Sequence, residues 1–346
     1  MQRKTVLITG AAGSIGSEIV HQLNRFDLQL LLCDIAESPL HQLALDIKDH
    51  FPNVKFHPLI ADVRNYDRMK SIFETYKPQY IYHTAAYKHV PLMEEQPCEA
   101  VLANVLGTKN IADLAKEYQS ECFVLISTDK AVNPSSVMGA SKRIAEIYIK
   151  ALSNQVKKGK TDFPTRFIIT RFGNVLDSNG SVTLRFSQQI ESGGPVTVTH
   201  PDIIRYFMTI PEACSLVLEA GNLGKGGEIF VFDMGDSIKI TDKAEEMIRR
   251  AGLEPYKDID IVYTELRPGE KLYEELWYDR ETLKPTKNKK IKIGTGPDYE
   301  YNEIAPVIFR LIESAANSEK MALVKMMKEI VPEFISCNSI YSELDK

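Results

Sequence analysis

Much that would place this 346-residue chain in other classes is missing from it. No apolar run approaches the roughly 18 residues that read as a membrane helix. There is no charged-then-apolar leader of the secretory kind. No Cys-x-x-Cys occurs and no His/Cys group has zinc-ligand spacing, so neither a metal site nor a disulfide framework is expected. The five cysteines, Cys33, Cys98, Cys122, Cys214 and Cys337, are odd in number and far apart, and Cys33 and Cys122 lie inside apolar runs where cysteine acts as a small core residue. A reducing compartment follows. Positive charge is not in excess either: 42 Lys and Arg against 47 Asp and Glu leave a net charge of −5, which argues against a nucleic-acid surface. The one basic run, Lys284-Pro285-Thr286-Lys287-Asn288-Lys289-Lys290-Ile291-Lys292, reads as a solvated loop entering a short strand, with acidic lipid or a partner as the other use of it. Internal repeats and low-complexity tracts are absent.

What is present fits a globular protein with one large two-lobed domain or two ordinary ones, 44% apolar and 26% charged. The opening "MQRKTVLITG" enters a strand at once, which suits a complete soluble protein and equally a catalytic domain cut from a longer one. A cytoplasmic location is expected in both cases.

Apolar runs predict strands at 5–9, 28–34, 54–62, 79–86, 122–128 and 166–172, and amphipathic patterns predict helices at 15–25, 38–50, 65–76, 98–118 and 136–157. Continuous apolar strands in β-α-β order imply a parallel sheet covered on both faces. After Phe172 the rhythm breaks and Gly, Pro and Asn become common. A helix at 212–220 and a buried strand at 228–234 predict a return to the sheet; 236–300 is more polar, and 303–332 is mostly helical. The expected fold is α/β, a doubly wound parallel sheet of the Rossmann type with a smaller C-terminal substrate-binding lobe. Residues 1–172 form the nucleotide domain, rejoined at about 207–235. Residues 173–206 and 236–300 form the lobe, and 301–346 a helical C-terminal segment.

The stretch "VLITGAAGSIGSEI" sets Gly10, Gly13 and Gly16 between a strand and a helix, with Ser14 and Ile15 in the turn. The first glycine permits the tight turn, the second admits a pyrophosphate to the backbone, and the third lets the helix pack on the sheet. A pyrophosphate there meets free N–H groups and the helix dipole. Asp34 closes the second strand, where its carboxylate can accept both ribose hydroxyls of an adenosine and repel a 2′-phosphate, so NAD is expected over NADP. Asp62 and Val63, at the third strand end, are expected near the adenine, and Ala85 and Ala86 to allow close approach of backbone to the cofactor.

The spacing Thr9-Gly10-x-x-Gly13-x-x-Gly16 resembles the extended short-chain dehydrogenase/reductases, and Met138-Gly-Ala-Ser-Lys142 resembles their Tyr-x-x-x-Lys with the tyrosine replaced. "STDKAVNPSSVMGASKRIAE", "RFGNVLDSNGSV" and "RPGEKLYEE" are similar to one branch, the UDP-N-acetylglucosamine 4,6-dehydratases of bacterial glycan and polysaccharide biosynthesis, over about residues 4 to 295. Within that branch the resemblance is to the methionine-bearing class, whose longer members are membrane-anchored and retain configuration at C5. It implies NAD as cofactor, UDP-N-acetylglucosamine as substrate, no metal, and self-association through the helices at 98–118 and 136–157.

It also implies roles. Met138 and Lys142 share a helix face and point toward the nicotinamide, Lys142 holding the ribose hydroxyls. Thr128 meets O4 of the sugar, Asp129 protonates the departing 6-hydroxyl, and Lys130 removes the C5 proton, which requires a neutral amine, expected from burial beside Lys142. The acceptor of the 4-hydroxyl proton is not visible without a tyrosine; a water relay to Lys142 or Asp129 is expected. Asn174, Arg205 and Arg267 are implied at the diphosphate and Glu270 at the uridine ribose, with Lys88 and His89 within reach of the substrate. Two other functions stay open: a UDP-sugar 4-epimerase, which needs only transient oxidation at C4, and a catalytically silent NAD-binding scaffold.

Overall fold

A computed structural model describes residues 3–159, 164–278, 282–317 and 319–345. The apolar runs of the first half form β1 (Lys4–Thr9), β2 (Leu28–Asp34), β3 (Lys55–Ile60), β4 (Tyr80–His83), β5 (Cys122–Ile126) and β6 (Arg166–Arg171). The expected return to the sheet is β7 (Ile229–Phe232), and the hairpin β8 (Thr282–Pro285) and β9 (Ile291–Thr295) completes it. The order across the sheet is β8-β9-β7-β6-β5-β4-β1-β2-β3. The seven strands from β3 to β7 are parallel, and β9 and β8 add antiparallel at the far edge. This is the doubly wound Rossmann α/β fold. Winding reverses between β1 and β4, and at that switch point ligands bind beyond the carboxyl ends of the strands.

Three expectations need correction. The segment 282–295, assigned to the sugar lobe for its polarity, belongs to the main sheet. Ile291 is fully buried while its lysine neighbours face outward, the alternation of an edge hairpin covered on one face. Lysines on an outer strand also discourage further strand pairing. The helix expected at 98–118 is broken into α-helix Pro97–Ala100, π-helix Val101–Leu106 and α-helix Gly107–Glu117. Within the π turn, buried Asn104 accepts from Tyr87 N (2.8 Å) and donates to Tyr87 O (3.0 Å) and Ser141 Oγ (2.9 Å), clasping the loop after β4 to the next helix. A wide turn at such a point is a common functional adaptation of helices.

The third correction concerns the pairing faces. The helix Val137–Lys158 is buried along nearly its whole length by this chain's own C-terminal helices, Tyr301–Ala315 and Lys320–Ile330. Tyr148 and Tyr301 share a hydroxyl contact at 3.3 Å, Arg143 donates to Tyr299 Oη, and Lys109 sits over the Phe309 ring. These surfaces are therefore closed off inside one chain.

The smaller lobe has its own apolar cluster of Phe186, Val196, Val198, Ile240, Ala244, Ile259 and neighbours. Val196–Val198 pairs with Ile261–Tyr263, and Ile204–Arg205 with Ile238–Lys239. That last pair puts Arg205 beside the carboxyl edge of the main sheet.

Candidate active site

Gly10 leaves β1 at φ +67°, and a Cβ added there would lie 2.7 Å from Ala85 N, so no side chain fits. A Cβ on Gly16 would stand 2.1 Å from the Gly10 carbonyl oxygen, which is how closely the helix Ser14–Leu23 seats on the turn, with Gly13 as its N-cap. Ser14 Oγ accepts from Asn179 N at 3.0 Å, and the Ile15 carbonyl accepts from Cys214, tying the turn to the rest of the crevice. Asp34 is fixed by Ala12 N on Oδ2 and Ala36 N on Oδ1, both at 2.9 Å, so its carboxylate faces the glycine turn from the end of β2. Asp62 is paired with Arg64 (2.8 Å), which in turn meets Glu99 (2.8 Å). Burial works against the Asp62 charge, but Arg64 outweighs it and holds the carboxyl below the usual range. Val63 packs over Gly107, where an added Cβ would touch it at 2.7 Å.

Beyond β5 the chain makes a tight turn, Asp129–Ala131, and its polar groups converge. Asp129 Oδ1 accepts from Thr128 Oγ1 (2.8 Å), Lys130 N (2.9 Å) and Lys130 Nζ (3.0 Å). Its Oδ2 is buried and has no hydrogen-bond partner among the described residues, and a Cβ added to Gly173 would approach it to 2.9 Å. Leaving a buried polar atom without a hydrogen bond costs about 1–3 kcal/mol, and more on a charged group. Lys130 Nζ also donates to Asn174 Oδ1 (3.1 Å) and lies 3.8 Å from Glu274 Oε1. The turn is held against the helix Val137–Lys158 because residue 139 is glycine: a Cβ there would fall 2.2 Å from the Lys130 carbonyl oxygen.

Met138 and Lys142 do share the helix face toward β5. Met138 is 3% exposed and packs in the main core, a spacer rather than a proton carrier. Lys142 donates to the Ile126 carbonyl at 2.7 Å, and burial pulls its ammonium down to about 8. One turn on, buried Glu146 accepts from Ser127 Oγ, from Arg171 Nε and Nη2, and from Arg143 Nη1. That network anchors the helix to β5 and β6, and breaking one partner of such a buried pair typically costs about 3–5 kcal/mol.

Two expectations, the charge state of Lys130 and the partners of Arg205, need correction here. Burial does work to lower the Lys130 ammonium, as anticipated, but Asp129 and Glu274 outweigh it, so the amine is held above the ordinary lysine value rather than below it. The nearby charges that matter are these two carboxylates and Arg205, not Lys142. Arg205, expected on a diphosphate, spends its donors inside the protein: Nη1 on the carbonyls of Ile204 (2.7 Å) and Leu272 (3.2 Å), Nη2 on that of Lys271 (2.7 Å). Glu270 and Glu274 flank it at 3.6 and 3.8 Å. Arg205 organises the 270–274 loop. Arg267 is the half-exposed cation, paired with Glu270 at 3.1 Å, and Glu270 also accepts from Thr199. Asn174 Oδ1 accepts from Lys130 Nζ, which ties the start of its segment to the turn after β5. Lys88 reaches Ser178 Oγ at 3.4 Å, and the His89 ring lies against Gly180 at the exposed mouth.

The polysaccharide biosynthesis protein family model matches residues 6–295. The chain belongs to that family. It is 48% identical over 328 residues to the capsular polysaccharide biosynthesis protein CapD of Staphylococcus aureus, an alignment covering 94% of this chain and 53% of CapD, so it spans about half the length of that relative. It is 36% identical over 289 residues to a UDP-glucose 4-epimerase of Rickettsia rickettsii, covering 81% of this chain and 80% of the epimerase. The crystal structure of Pen from Bacillus thuringiensis superposes with a TM-score of 0.76 at 30% identity, over 89% of this chain and 98% of that one. Among the described residues, no helix of this member of the polysaccharide biosynthesis family is long and apolar enough to cross a membrane. No His/Cys/Asp/Glu group among them could hold a metal ion.

Two groups in this family member escaped the sequence reading. Glu274 stands within the motif "RPGEKLYEE", but its proximity to Lys130 is purely tertiary. Glu146 closes the motif "STDKAVNPSSVMGASKRIAE", and only its pairing with Arg171 at the end of β6 explains its burial.

Proposed function

We propose that the chain catalyses the NAD-dependent 4,6-dehydration of UDP-N-acetylglucosamine to the 4-keto-6-deoxy sugar nucleotide. The observation that carries the reading is the continuous Thr128–Asp129–Lys130 hydrogen-bond chain at the carboxyl end of β5, with Asp129 buried at its centre and an acid and a base joined at 3.0 Å. Gly10, Gly16 and Asp34 fit a dinucleotide, whose nicotinamide supplies hydride removal from C4 and its return at C6. Lys142 holds the ribose beside it. Arg267 with the Asn174 amide suits the diphosphate, and Glu270 the uridine ribose.

Thr128 answers the question left by the missing tyrosine. Its hydroxyl already donates to Asp129, so it can take the 4-hydroxyl proton while passing its own to the carboxylate. The proton that leaves O4 thus arrives on the group that protonates O6. Lys130 removes the C5 proton as water departs and then returns a proton from the same face. Configuration at C5 is retained for that reason.

The test is incubation with UDP-N-acetylglucosamine in heavy water. A product lighter by one water and deuterated at C5 is expected; an isobaric product with C5–H intact would establish 4-epimerisation instead, the activity named for the Rickettsia relative. On the cofactor side, Asp34→Ala should weaken NAD binding and narrow the preference over NADP. Equal loss for both cofactors, by calorimetry, would remove Asp34 from the ribose.

A further inference from the structure

The base role of Lys130 carries a difficulty that the geometry itself resolves. Lys130 is held between two carboxylates, Asp129 at 3.0 Å and Glu274 at 3.8 Å, and both of these side chains are almost wholly buried. An ammonium in that position cannot take a proton from C5. Asp129 is not free to relieve it, since it receives the 4-hydroxyl proton through Thr128 and must give that proton to O6.

We propose that Glu274 is the proton acceptor that arms Lys130, taking the ammonium proton onto its carboxylate and keeping it there through the catalytic cycle. This inference rests on the dehydratase reading. Glu274 touches neither sugar nor cofactor in this assignment, and it acts through Lys130 as a positioning residue.

The proton balance closes. Before reaction, Lys130–NH3⁺ and Glu274–COO⁻ become Lys130–NH2 and Glu274–COOH, with Asp129 ionised. Hydride then leaves C4 for the nicotinamide as the O4 proton passes through Thr128 to Asp129. Lys130 takes the C5 proton, Asp129 gives its proton to O6, and water leaves. Hydride returns to C6 and Lys130 gives a proton to C5, restoring the neutral amine and the Asp129 carboxylate. Glu274, protonated in that first transfer, keeps its proton through these steps.

The surroundings suit this task. The groups facing Glu274 are Lys130 and Asp129 from the turn after β5, Arg205 from the smaller lobe and Lys271 from its own loop. Arg205 fixes that loop through three backbone carbonyls, and Lys271 is tied to the Val132 carbonyl at 3.1 Å, so the carboxylate is delivered to Lys130 by a built support. Burial raises the Glu274 carboxyl, with Asp129 adding to the effect, against the opposing pull of Lys130, Arg205 and Lys271. A small rotation of either side chain brings 3.8 Å to hydrogen-bond distance.

The test is the pH–rate profile of dehydration for the wild type, Glu274→Gln and Glu274→Asp, with UDP-N-acetylglucosamine and NAD. The wild type is expected to be flat near neutrality, because the proton moves internally. Glu274→Gln should fall roughly 10²-fold at pH 7 and recover about tenfold per pH unit on going alkaline, as Lys130 loses its proton to solvent. Glu274→Asp, which keeps a carboxyl group, should restore the flat profile. Glu274→Ser gives the same rising limb should the amide disturb the fold. A Gln variant with wild-type rate and profile, one active down to lower pH (Glu274 then being only a counter-charge), or one with a pH-independent loss overturns the inference while leaving dehydration by the wild type intact. A wild type that releases no water overturns the dehydratase reading itself.

Discussion

Lys130→Ala is expected to slow dehydration about 10²–10⁴-fold, the usual cost of removing a general base. The loss should fall after the first chemical step. Thr128 and Asp129 remain in place in this variant, so oxidation at C4 still has its proton acceptor. The enzyme should therefore accumulate NADH, visible in the near ultraviolet, while C5 exchange with heavy water becomes slow. Folding should survive, since Lys130 is partly exposed and removing it leaves the Asp129 contacts to Thr128 and to the residue 130 N–H. Normal C5 exchange in the variant would show that another group is the base.

Asp129→Asn should be at least as damaging, and at an earlier point. An amide cannot accept the proton passed by Thr128, nor can it protonate O6, so both half-reactions lose their partner. A loss of about 10²–10⁴-fold or more is expected without accumulation of NADH, in contrast to Lys130→Ala. Losing Asp129 also removes the closer carboxylate from Lys130, leaving burial free to lower that ammonium with only Glu274 opposing it. NAD binding should be unchanged, because none of the glycine-turn contacts involves Asp129. Rapid NADH formation by Asp129→Asn would exclude Asp129 as acceptor of the 4-hydroxyl proton, leaving Lys142, whose buried ammonium titrates near 8, as the remaining nearby base.

The contrast between the two variants depends on a relay three residues long. It was legible in "STDK" as a set of residue types, but its order of hydrogen bonds was not. Three donors converge on one oxygen of Asp129 because the chain turns sharply after β5, with glycine at 139 letting the turn seat on the helix and glycine at 173 leaving room beside the other oxygen.

Local pattern determined a good deal of this protein. Apolar runs placed six strands of the parallel sheet and the return strand, since a strand buried on both faces is apolar nearly throughout; the edge strand β3, with only Leu59 buried, shows the pattern least. The glycine spacing located the dinucleotide turn, because each glycine there answers a steric demand of its immediate neighbours. Motifs also located the acid and the lysine of the candidate site. Tertiary structure decided what depends on partners distant in sequence. It placed the 282–295 hairpin on the sheet, where packing beside β7 overrides polar composition. It covered the Val137–Lys158 helix with the chain's own C-terminal helices, closing a face the sequence left open. It turned Arg205 inward to the carbonyls of its loop and brought Glu274 to Lys130. The charge on a buried group is set by what the fold places within a few ångströms of it, and residue order alone does not carry that information.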